Sequence, residues 1–354
     1  MKTIAIANQK GGCGKTTTAI NLGAALAKNG KQVLVIDLDP QAHASFALRK
    51  DDQSPDSSAY NVLTEKPEKK RPFGSCIVPV SPDLDILPSN AQLSTLEQEL
   101  NDREDAVSVL RKVLSDCHSY DYALIDCPPS LGFLTFNALR AADWVIIPID
   151  MSPFTLFGVG KLLGMIELVG RKTGRAPQVS ALATLFDKRT KYSQSILDEV
   201  ESFFGDRLLQ TVIRHNVALK RAVSEGASVI SFYPTSNGAR DYVLLAEEIM
   251  LCGQHVPEWK QNEAVSGMDM REVTFVIEAP AANEIYLVGE FNDWAADEGS
   301  RLLRGENGFW EKRMELPPGT YRYKFLVDGE WNIDHRNQNV ESNDFGSFDS
   351  IISI

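Results

Sequence analysis

The first part of this chain begins with a characteristic run of residues, Thr3-Ile-Ala-Ile-Ala-Asn-Gln-Lys-Gly-Gly-Cys-Gly-Lys-Thr16. Its apolar start, residues 3–7, predicts a buried strand, and the apolar spacing over residues 16–29 predicts a helix. Gly11, Gly12 and Gly14 between them allow a tight turn. A strand, a glycine-rich turn and a helix together direct backbone N–H groups at one point, which is where a helix start binds phosphate.

The same alternation of strand and helix continues to about residue 250. Further apolar runs predict strands at residues 32–36, 123–125, 144–147 and 179–183. Runs that are apolar on both faces are typical of parallel strands covered by helices on each side. We therefore expect a doubly wound α/β fold, with a mostly parallel sheet, over residues 1–252. Such sheets bind ligands at the carboxyl ends of their strands.

The net charge of −12 is unevenly distributed. Residues 1–262 carry 28 Lys and Arg against 30 Asp and Glu, whereas residues 263–354 carry 8 against 18. The second part is therefore expected to avoid nucleic acid and anionic membranes, and a basic patch remains possible on the first. The five cysteines are scattered without a CxxC pair, and no apolar run reaches the length of a membrane span. We expect a cytoplasmic protein that does not bind membranes.

A polar stretch at residues 253–269 predicts a linker, and the pattern changes after it. Short apolar runs separated by turn residues occupy residues 270–354. This spacing is typical of a small antiparallel β-sandwich. The chain is therefore expected to hold two domains of different classes.

The residues of the glycine-rich turn fit a nucleoside triphosphate. Lys15 would neutralise the β- and γ-phosphates, and the Thr16 hydroxyl would bind Mg²⁺. The general phosphate-loop motif has glycine where this chain has Gln9, and a second lysine, Lys10, opens the loop instead. Asp37 and Asp126 each end a predicted strand beside the loop, where carboxylates can serve a magnesium ion.

Three motifs in order make residues 1–250 resemble the ParA/MinD family of deviant Walker ATPases. They are residues 7–17, Asp37-Leu-Asp-Pro-Gln41 and Leu124-Ile-Asp-Cys-Pro-Pro-Ser130. The resemblance implies an ATP-dependent homodimer that slowly hydrolyses ATP with Mg²⁺, in which Lys10 reaches the partner's phosphates. It implies that Asp39 orients the attacking water and that Asp126 is the Walker B carboxylate. ATP contacts are expected from Lys10, Gly11, Gly12, Cys13, Gly14, Lys15, Thr16, Thr17, Arg214 and Asn216.

The residues of these motifs are most similar to those of the chromosomal Soj/ParA type. That type binds DNA without sequence preference and has a ParB-like stimulating partner, so the protein is expected at the nucleoid. Candidate DNA-binding cations are Lys188, Arg189, Lys191, Lys220, Arg221 and Arg240. The family's Pro-Arg-Asn is Arg214-His215-Asn216 here, and a common arginine is replaced by Ala218. An ordinary solvated face is the alternative for these cations.

Residues 270–354 resemble the glycogen-binding module of the AMP-activated kinase β subunit. The similarity lies in Gly289-Glu-Phe-Asn-Asp-Trp294, in residues 323–331 and in the final Ile351-Ile352. It implies sugar stacking on Trp294 and Trp331 and hydroxyl binding by Lys324. Phe345 would lie over the sugar, and Asp349 stands where the family has asparagine. We place Trp310 and Phe291 in the core; the alternative is that the other aromatics are also core, or that the module docks protein.

The sequence thus predicts an ATPase switch that positions a cargo and carries an α-glucan-binding module. A second hypothesis remains open, in which the protein is a carbohydrate-sensing scaffold whose nucleotide only gates partner binding.

Overall fold

The computed structural model describes residues 1–48, 57–100, 103, 105–152, 155–252, 271–292, 294–297, 299–305, 308–316, 319–337, 339–343 and 347–354, with residue 157 described by its backbone alone. The chain divides into two compact units, Met1–Gln261 and Asn262–Ile354, and each is considered by itself. The predicted linker at 253–269 lies outside the described residues and stays a prediction.

The first unit is built on one seven-stranded sheet. Its strands are β1 Lys2–Ile6, β2 Val33–Asp37, β3 Val78–Ser81, β4 Leu84–Leu87, β5 Tyr122–Asp126, β6 Trp144–Asp150 and β7 Gln178–Thr184, in the order β3-β4-β2-β5-β1-β6-β7. Every neighbouring pair is parallel except β3 with β4. The predicted doubly wound, mostly parallel sheet is therefore confirmed.

Helices cover the sheet on both faces. They are α1 Lys15–Lys28, α2 His43–Leu48, α3 Ala59–Leu63, α4 Leu96–Leu100, α5 Val109–Ser115, α6 Phe133–Ala141, α7 Phe157–Thr173, α8 Lys191–Phe204, α9 Val217–Ser224, α10 Val229–Phe232 and α11 Asn237–Cys252. Alternate residues of β1 enter two separate cores: Ala5 lies in one and Ile4 in the other, both fully buried. Burial on both faces is the reason these strands are apolar throughout.

Strand pairing brings the predicted site together at the carboxyl ends of β1, β2 and β5. Asp126 is paired in register with Ile6 on one side and with Asp37 on the other. The loop that follows β1 therefore leaves the sheet directly beside the two carboxylates. Their closeness is a consequence of parallel register alone.

The second unit is an antiparallel sandwich. Its strands are β8 Arg271–Glu278, β9 Ile285–Gly289, β10 Leu303–Arg304, β11 Phe309–Leu316, β12 Thr320–Val327, β13 Glu330–Asn332, β14 Val340–Ser342 and β15 Phe348–Ser353. One sheet has the order β10-β11-β8, and the other has β13-β12-β15-β14 with β9 also paired to β12. Phe291 and Trp310 are each 4% exposed, which confirms their predicted place in the core.

Candidate functional site

The glycine-rich loop uses conformations that other residues rarely adopt. Gly12 has φ +76° and Gly14, the residue before α1, has φ +98°. A Cβ at Gly11 or Gly12 would meet nothing within 4 Å, so the loop backbone borders open space. The first turn of α1 has no acidic residue to neutralise its positive end. Loop and helix start together form an anion-binding cradle.

A cavity of about 940 Å³ opens over this cradle. Its walls include Lys15, Thr16 and Asp39 together with Phe46 of α2. The opposite wall is made by residues 223–226 at the end of α9. Backbone donors, a cation, a hydroxyl and a carboxylate thus converge on one space, which is the chemistry that a nucleoside triphosphate with a divalent cation requires.

The two lysines of the loop occupy different places. Lys15 lines the cavity and is 7% exposed, and its ammonium donates to the carbonyl oxygen of Lys10 at 2.9 Å. Lys10 does not line the cavity: its Nζ lies 3.2 Å from Asp150 Oδ2 and also donates to the Ser152 hydroxyl. The Asp150 carboxylate is itself fixed by the Thr155 hydroxyl at 3.0 Å. Lys10 is therefore paired within its own subunit, away from the phosphate cradle.

Small polar contacts hold the loop to the sheet. Asn8 Nδ2 donates to the carbonyl of Pro148 in β6 at 2.7 Å. The Thr184 hydroxyl at the end of β7 donates to the carbonyl of Cys13 at 2.8 Å. The Cys13 thiol is fully buried and donates to the Lys10 carbonyl at 3.2 Å. The Cys13 side chain thus helps to fix the conformation of the loop.

Asp126 is the clearest candidate for a cation ligand. It is completely buried, and among the described residues neither of its carboxylate oxygens has a hydrogen-bond partner. Burial raises the pKa of Asp126 well above its usual range and the Asp37 carboxylate raises it further, while the Thr16 hydroxyl and Lys15 act in the opposite direction. A buried carboxyl without partners is costly. Because Mg²⁺ takes carboxylate, hydroxyl and phosphate oxygens, these residues fit a magnesium ion.

The other two carboxylates are oriented by backbone donors. Asp37 Oδ2 accepts from Ser45 N at 2.8 Å and from the Ser45 hydroxyl at 2.7 Å, and burial raises its pKa to about 6. Asp39 Oδ1 accepts from Gln41 N at 2.9 Å, and Asp39 borders the cavity. The structure thus places Asp39 toward the cradle and Asp37 behind it. No cluster of three or more His, Cys, Asp or Glu that could hold a metal by itself occurs among the described residues, so phosphate or water oxygens would complete the magnesium shell.

A second cavity of about 510 Å³ adjoins the back of the loop. Its walls include Gly12, Thr17, His215, Asn216 and Tyr242. The Asn216 side chain accepts from Ala218 N at 2.9 Å and caps α9. This concave, mixed apolar and polar space is where the base and ribose of a nucleotide would fit.

Arg214 and Asn216, two residues apart in sequence, lie in different surroundings. Its guanidinium pairs with the buried carboxylate of Asp241, and Arg214 borders neither of these two cavities. His215, which follows it, borders the second cavity instead. Asn216 therefore lies at the candidate site, where its predicted ATP contact requires it, whereas the Arg214 side chain contacts Asp241 of α11.

The predicted DNA-binding cations are exposed and lie on neighbouring elements. Residue 186 bridges to residue 214, which sets the loop bearing Lys188 and Arg189 beside the start of α9. Lys191 begins α8, Lys220 and Arg221 lie on α9, and Arg240 lies in the first turns of α11. Arg189 is engaged by Asp187 at 2.7 Å, so part of its charge is already neutralised.

In the second unit, the two predicted stacking tryptophans lie together. The ring centroids of Trp294 and Trp331 are 6.2 Å apart, with their planes at 54°, and Trp331 is 56% exposed. Trp294 has φ +59°, a left-handed conformation that is unusual for a bulky residue and points to a functional constraint. The two rings form an open, angled aromatic surface.

Lys324 and Asp349 lie beside this surface as a buried ion pair. Lys324 Nζ is 3.1 Å from Asp349 Oδ1 and donates to the Ser347 hydroxyl at 2.8 Å, and both charged side chains are less than 10% exposed. The Lys324 ammonium also lies 6.0 Å from the Trp331 ring centroid. Asn343 Nδ2 donates to Asp349 at 2.7 Å. Phe345 lies outside the described residues.

Several of these residues were missed by sequence reasoning. Asp150 ends β6 and Ser152 follows it, both far from the loop in sequence, and only the register of β1 with β6 brings them near Lys10. Asn343 and Ser347 are polar residues in a loop and carry no pattern of their own. His215 was noted only as a departure from the family motif.

Comparison with known proteins supports two families, one for each unit. A family model described as an AAA domain matches residues 1–179. A second model, described as the glycogen recognition site of AMP-activated protein kinase, matches residues 271–354. No helix of the described residues is both long and apolar enough to cross a membrane.

Curated relatives match the first unit along almost their whole length. The sporulation initiation inhibitor protein Soj of Bacillus subtilis is 39% identical over 254 residues, covering 71% of this chain and 99% of the relative. The chromosome-partitioning ATPase Soj of Thermus thermophilus is 40% identical over 253 residues, covering 71% and 96%.

Solved structures share the fold of the first unit. Cobyrinic acid a,c-diamide synthase from Mycobacterium smegmatis, with a bound ATP analogue and magnesium, is 31% identical with a TM-score of 0.64, covering 73% of this chain and 97% of that one. A putative plasmid partition protein from Borrelia burgdorferi, bound to AMPPNP, is 27% identical with a TM-score of 0.58, covering 72% and 98%.

The comparisons agree with the geometry of the loop, the carboxylates and the cavity. They confirm the predicted enzyme class, an ATPase, and its cofactors, ATP and Mg²⁺. Through its first unit, the chain belongs to the Soj/ParA family of chromosome-partitioning ATPases.

Proposed function

We propose that this protein is an ATP-gated association switch whose second unit binds an α-glucan. The observation that carries the first half is the position of Lys10. Its ammonium is paired with Asp150 and Ser152 and does not line the cavity that Lys15 lines. A loop lysine that does not reach the phosphate site of its own subunit is available to the phosphates of a second subunit once the two subunits face each other.

In this proposal each residue of the cradle has one task. Lys15 and the loop N–H groups hold the phosphates, Thr16 and Asp126 hold Mg²⁺, and Asp37 supports that ion through water. Bound Mg²⁺ offsets negative charge on the phosphates. Asp39 orients the attacking water, and Lys10 of the facing subunit stabilises charge that develops in the transition state. Turnover therefore depends on dimer formation.

Reversible DNA attachment is the proposed output of the first unit. The exposed cations at residues 188–191, on α9 and on α11 support it, because they lie on adjacent elements. Each phosphate contact lowers log K by about 0.9 per tenfold rise in salt. A few such contacts would give weak, salt-sensitive binding without sequence preference, consistent with association at the nucleoid. A ParB-like protein is the proposed stimulating partner.

Glucan binding by the second unit rests on the paired tryptophans. Sugar rings present apolar C–H faces edged with hydroxyls, so they fit an exposed aromatic surface beside a few polar groups. Trp294 and Trp331 supply that surface, and Lys324 with Asp349 supplies the polar edge. Because Asp349 already neutralises Lys324, the site presents an ion pair in place of a free cation.

Glycogen co-sedimentation tests the module. The wild type is expected to pellet with glycogen, and the double variant Trp294→Ala/Trp331→Ala is expected to stay in the supernatant with unchanged ATP turnover. Phe309→Ala, which removes another exposed aromatic of the same unit, is the matched control and should pellet like the wild type. Retention of binding by the double variant would remove the proposed glucan site.

ATP turnover measured with and without duplex DNA and glycogen tests the positioning role. The proposal expects at least one of these ligands to change turnover or dimerisation. If neither does, the positioning role is wrong. If in addition Asp39→Ala keeps all partner binding and cellular function, the protein is instead a scaffold in which nucleotide only gates binding.

A further inference from the structure

A basic cleft lies on the second unit, apart from the paired tryptophans. Four cations line one cavity of about 720 Å³ at strands β10 and β11: Arg301, Arg304, Lys312 and Arg313. The described residues of the lining include a single acid, Glu311. Residues 263–354 hold only eight Lys and Arg against 18 Asp and Glu, so half of the unit's cations gather at this one place.

Little of this positive charge is neutralised by ion pairs among the described residues. Within the part of the chain that the structure describes, Arg301 and Lys312 form no ion pair, and Arg313 lies at 4.0 Å from Glu311, at the limit of an ion pair. Grouping like charges costs free energy unless something opposite compensates them. Such a cluster on an acidic unit is not explained by its folding and indicates an anionic ligand.

Arg304 is held in place for binding. Its guanidinium donates to the Pro280 carbonyl at 2.9 Å and stands over the Trp310 ring, 5.6 Å from the centroid. Because the guanidinium is already fixed on one side, less side-chain entropy is lost when its remaining donors are used. The planar donor fork matches the paired oxygens of a carboxylate or a phosphate group.

The surroundings of the cleft favour a short ligand with an apolar part. Leu303, in register with Glu311, is 74% exposed at the cleft and offers an apolar contact. The acidic remainder of the unit repels a long polyanion such as DNA, whose charge extends beyond a Debye length of about 8–10 Å. A peptide with carboxylates next to an apolar side chain satisfies both conditions.

We propose that this cleft, formed by Arg301, Arg304, Lys312, Arg313 and Leu303, binds an acidic peptide segment of a partner protein. The proposal is independent of glucan binding, because it uses none of the tryptophan-site residues. It assigns the second unit a protein-docking surface in addition to the sugar surface.

The test measures fluorescence anisotropy of a labelled peptide on the full-length protein. The probe is a twelve-residue peptide of Glu and Asp with two leucines, and its matched form has Gln and Asn in place of every acid. We expect the acidic form to bind at least tenfold more tightly, and binding to weaken as salt rises. Arg301→Glu/Arg313→Glu should weaken it at least tenfold, whereas Arg336→Glu, the same charge change at an exposed arginine outside the cleft, should not.

Leu303→Ser should weaken binding of the acidic peptide several-fold, because it removes the exposed apolar contact. Thermal unfolding of each variant reports folding of the two units and ATP turnover reports that of the first, so a lost peptide signal with both retained is specific to the cleft. The proposal is overturned if the acidic peptide does not bind, or if Arg301→Glu/Arg313→Glu binds the acidic peptide as tightly as Arg336→Glu does. It is also overturned if inorganic phosphate or duplex DNA binds the cleft and the peptide does not.

Discussion

The two lysines of the phosphate loop lie in different places, and we therefore expect them to have separate roles. Lys15 points to the cavity, and Lys10 is held by Asp150 outside it. The sequence indicated a division between them, since Gln9 departs from the general motif and Lys10 is an extra cation. It could not indicate the resting partner of Lys10, because Asp150 is brought near only by the fold.

Substitution should separate these roles. Lys15→Ala is expected to weaken ATP binding tenfold or more, because a charge-assisted contact to phosphate is lost. Lys10→Ala should change the ATP affinity of the isolated subunit less than about threefold, and still abolish turnover. Titration with a fluorescent ATP analogue at low protein concentration gives the affinities. Equal loss of affinity in both variants would mean that Lys10 contacts phosphate in its own subunit.

We expect the Asp126 carboxyl to lower the free energy of unfolding of the nucleotide-free protein. Among the described residues its fully buried carboxyl has no hydrogen-bond partner, and such a carboxyl is harder to bury than a neutral amide. Asp126→Asn is therefore expected to raise the free energy of unfolding of the nucleotide-free protein by about 1 kcal/mol. Thermal unfolding with and without ATP and Mg²⁺ checks this.

The same Asp126→Asn variant should lose most of the stabilisation that ATP with Mg²⁺ gives the wild type. Glu201→Gln, at an exposed position of α8, is the control and should match the wild type in both conditions. A lower midpoint for nucleotide-free Asp126→Asn would show that its carboxylate has a stabilising partner after all.

At the scale of elements, the long buried strands were predictable and the short ones were not. β1, β2, β5, β6 and β7 are apolar on both faces. The predicted bounds of β1, β2, β5 and β7 lie within one residue of the observed ones at either end, and β6 extends three residues further than predicted. β3 and β4 were missed because they are four residues long and β3 contains Pro79. β10, β13 and β14 have only two or three residues, too few for any periodicity.

Gly289 at the end of β9 should be essential to the second unit. A Cβ there would lie 2.6 Å from the backbone oxygen of Arg322, which cannot move aside cheaply. Gly289→Ala is expected to destabilise that unit by at least about 2 kcal/mol, with ATP turnover of the first unit kept. Differential scanning calorimetry and ATP turnover check this. Gly305→Ala, where the nearest atom is at 3.4 Å, is the control and should unfold close to the wild-type temperature.

Glu99 of α4 should make the free energy of unfolding depend on pH. Burial would raise its pKa, but hydrogen bonds from Lys66, Thr95, Thr64 and Tyr60 outweigh that and lower the pKa to about 2. A lowered carboxyl pKa gives stability that is present above the unfolded pKa near 4.5 and is lost as pH falls toward 2.

Glu99→Gln is therefore expected to cost about 1 kcal/mol at pH 7 and clearly less at pH 3. Urea unfolding at the two pH values measures the difference between variant and wild type. A difference that does not change with pH would contradict the role of the ionised carboxylate, since loss of packing alone is insensitive to pH. Glu97→Gln, at an exposed position of the same helix, is the control.

At the scale of the whole molecule, sequence predicted two units of different class, and the structure has them. Charge counting also assigned the acidity to the second unit, but it could not show that half of that unit's cations meet in one cleft. Spatial clustering of charge depends on strand register, as at Leu303 and Glu311, and register is not readable from composition.

Association is the property on which the functional account depends. A subunit whose Lys10 is paired internally with Asp150 should be monomeric without ATP. ATP with Mg²⁺ should favour the dimer only as far as it binds the dimer more tightly than the monomer. In the proposed mechanism Asp39→Ala slows hydrolysis, so this variant should hold that state long enough to measure.

The most direct measurement is the molar mass of Asp39→Ala by light scattering during size-exclusion chromatography, in ADP and in ATP with Mg²⁺. The account predicts monomer mass in ADP and twice that mass in ATP, with Lys10→Ala added to Asp39→Ala restoring the monomer and Lys28→Ala, at an exposed position of α1, leaving the dimer intact. A monomer in both nucleotides, or a dimer that persists when Lys10 is removed, would contradict it.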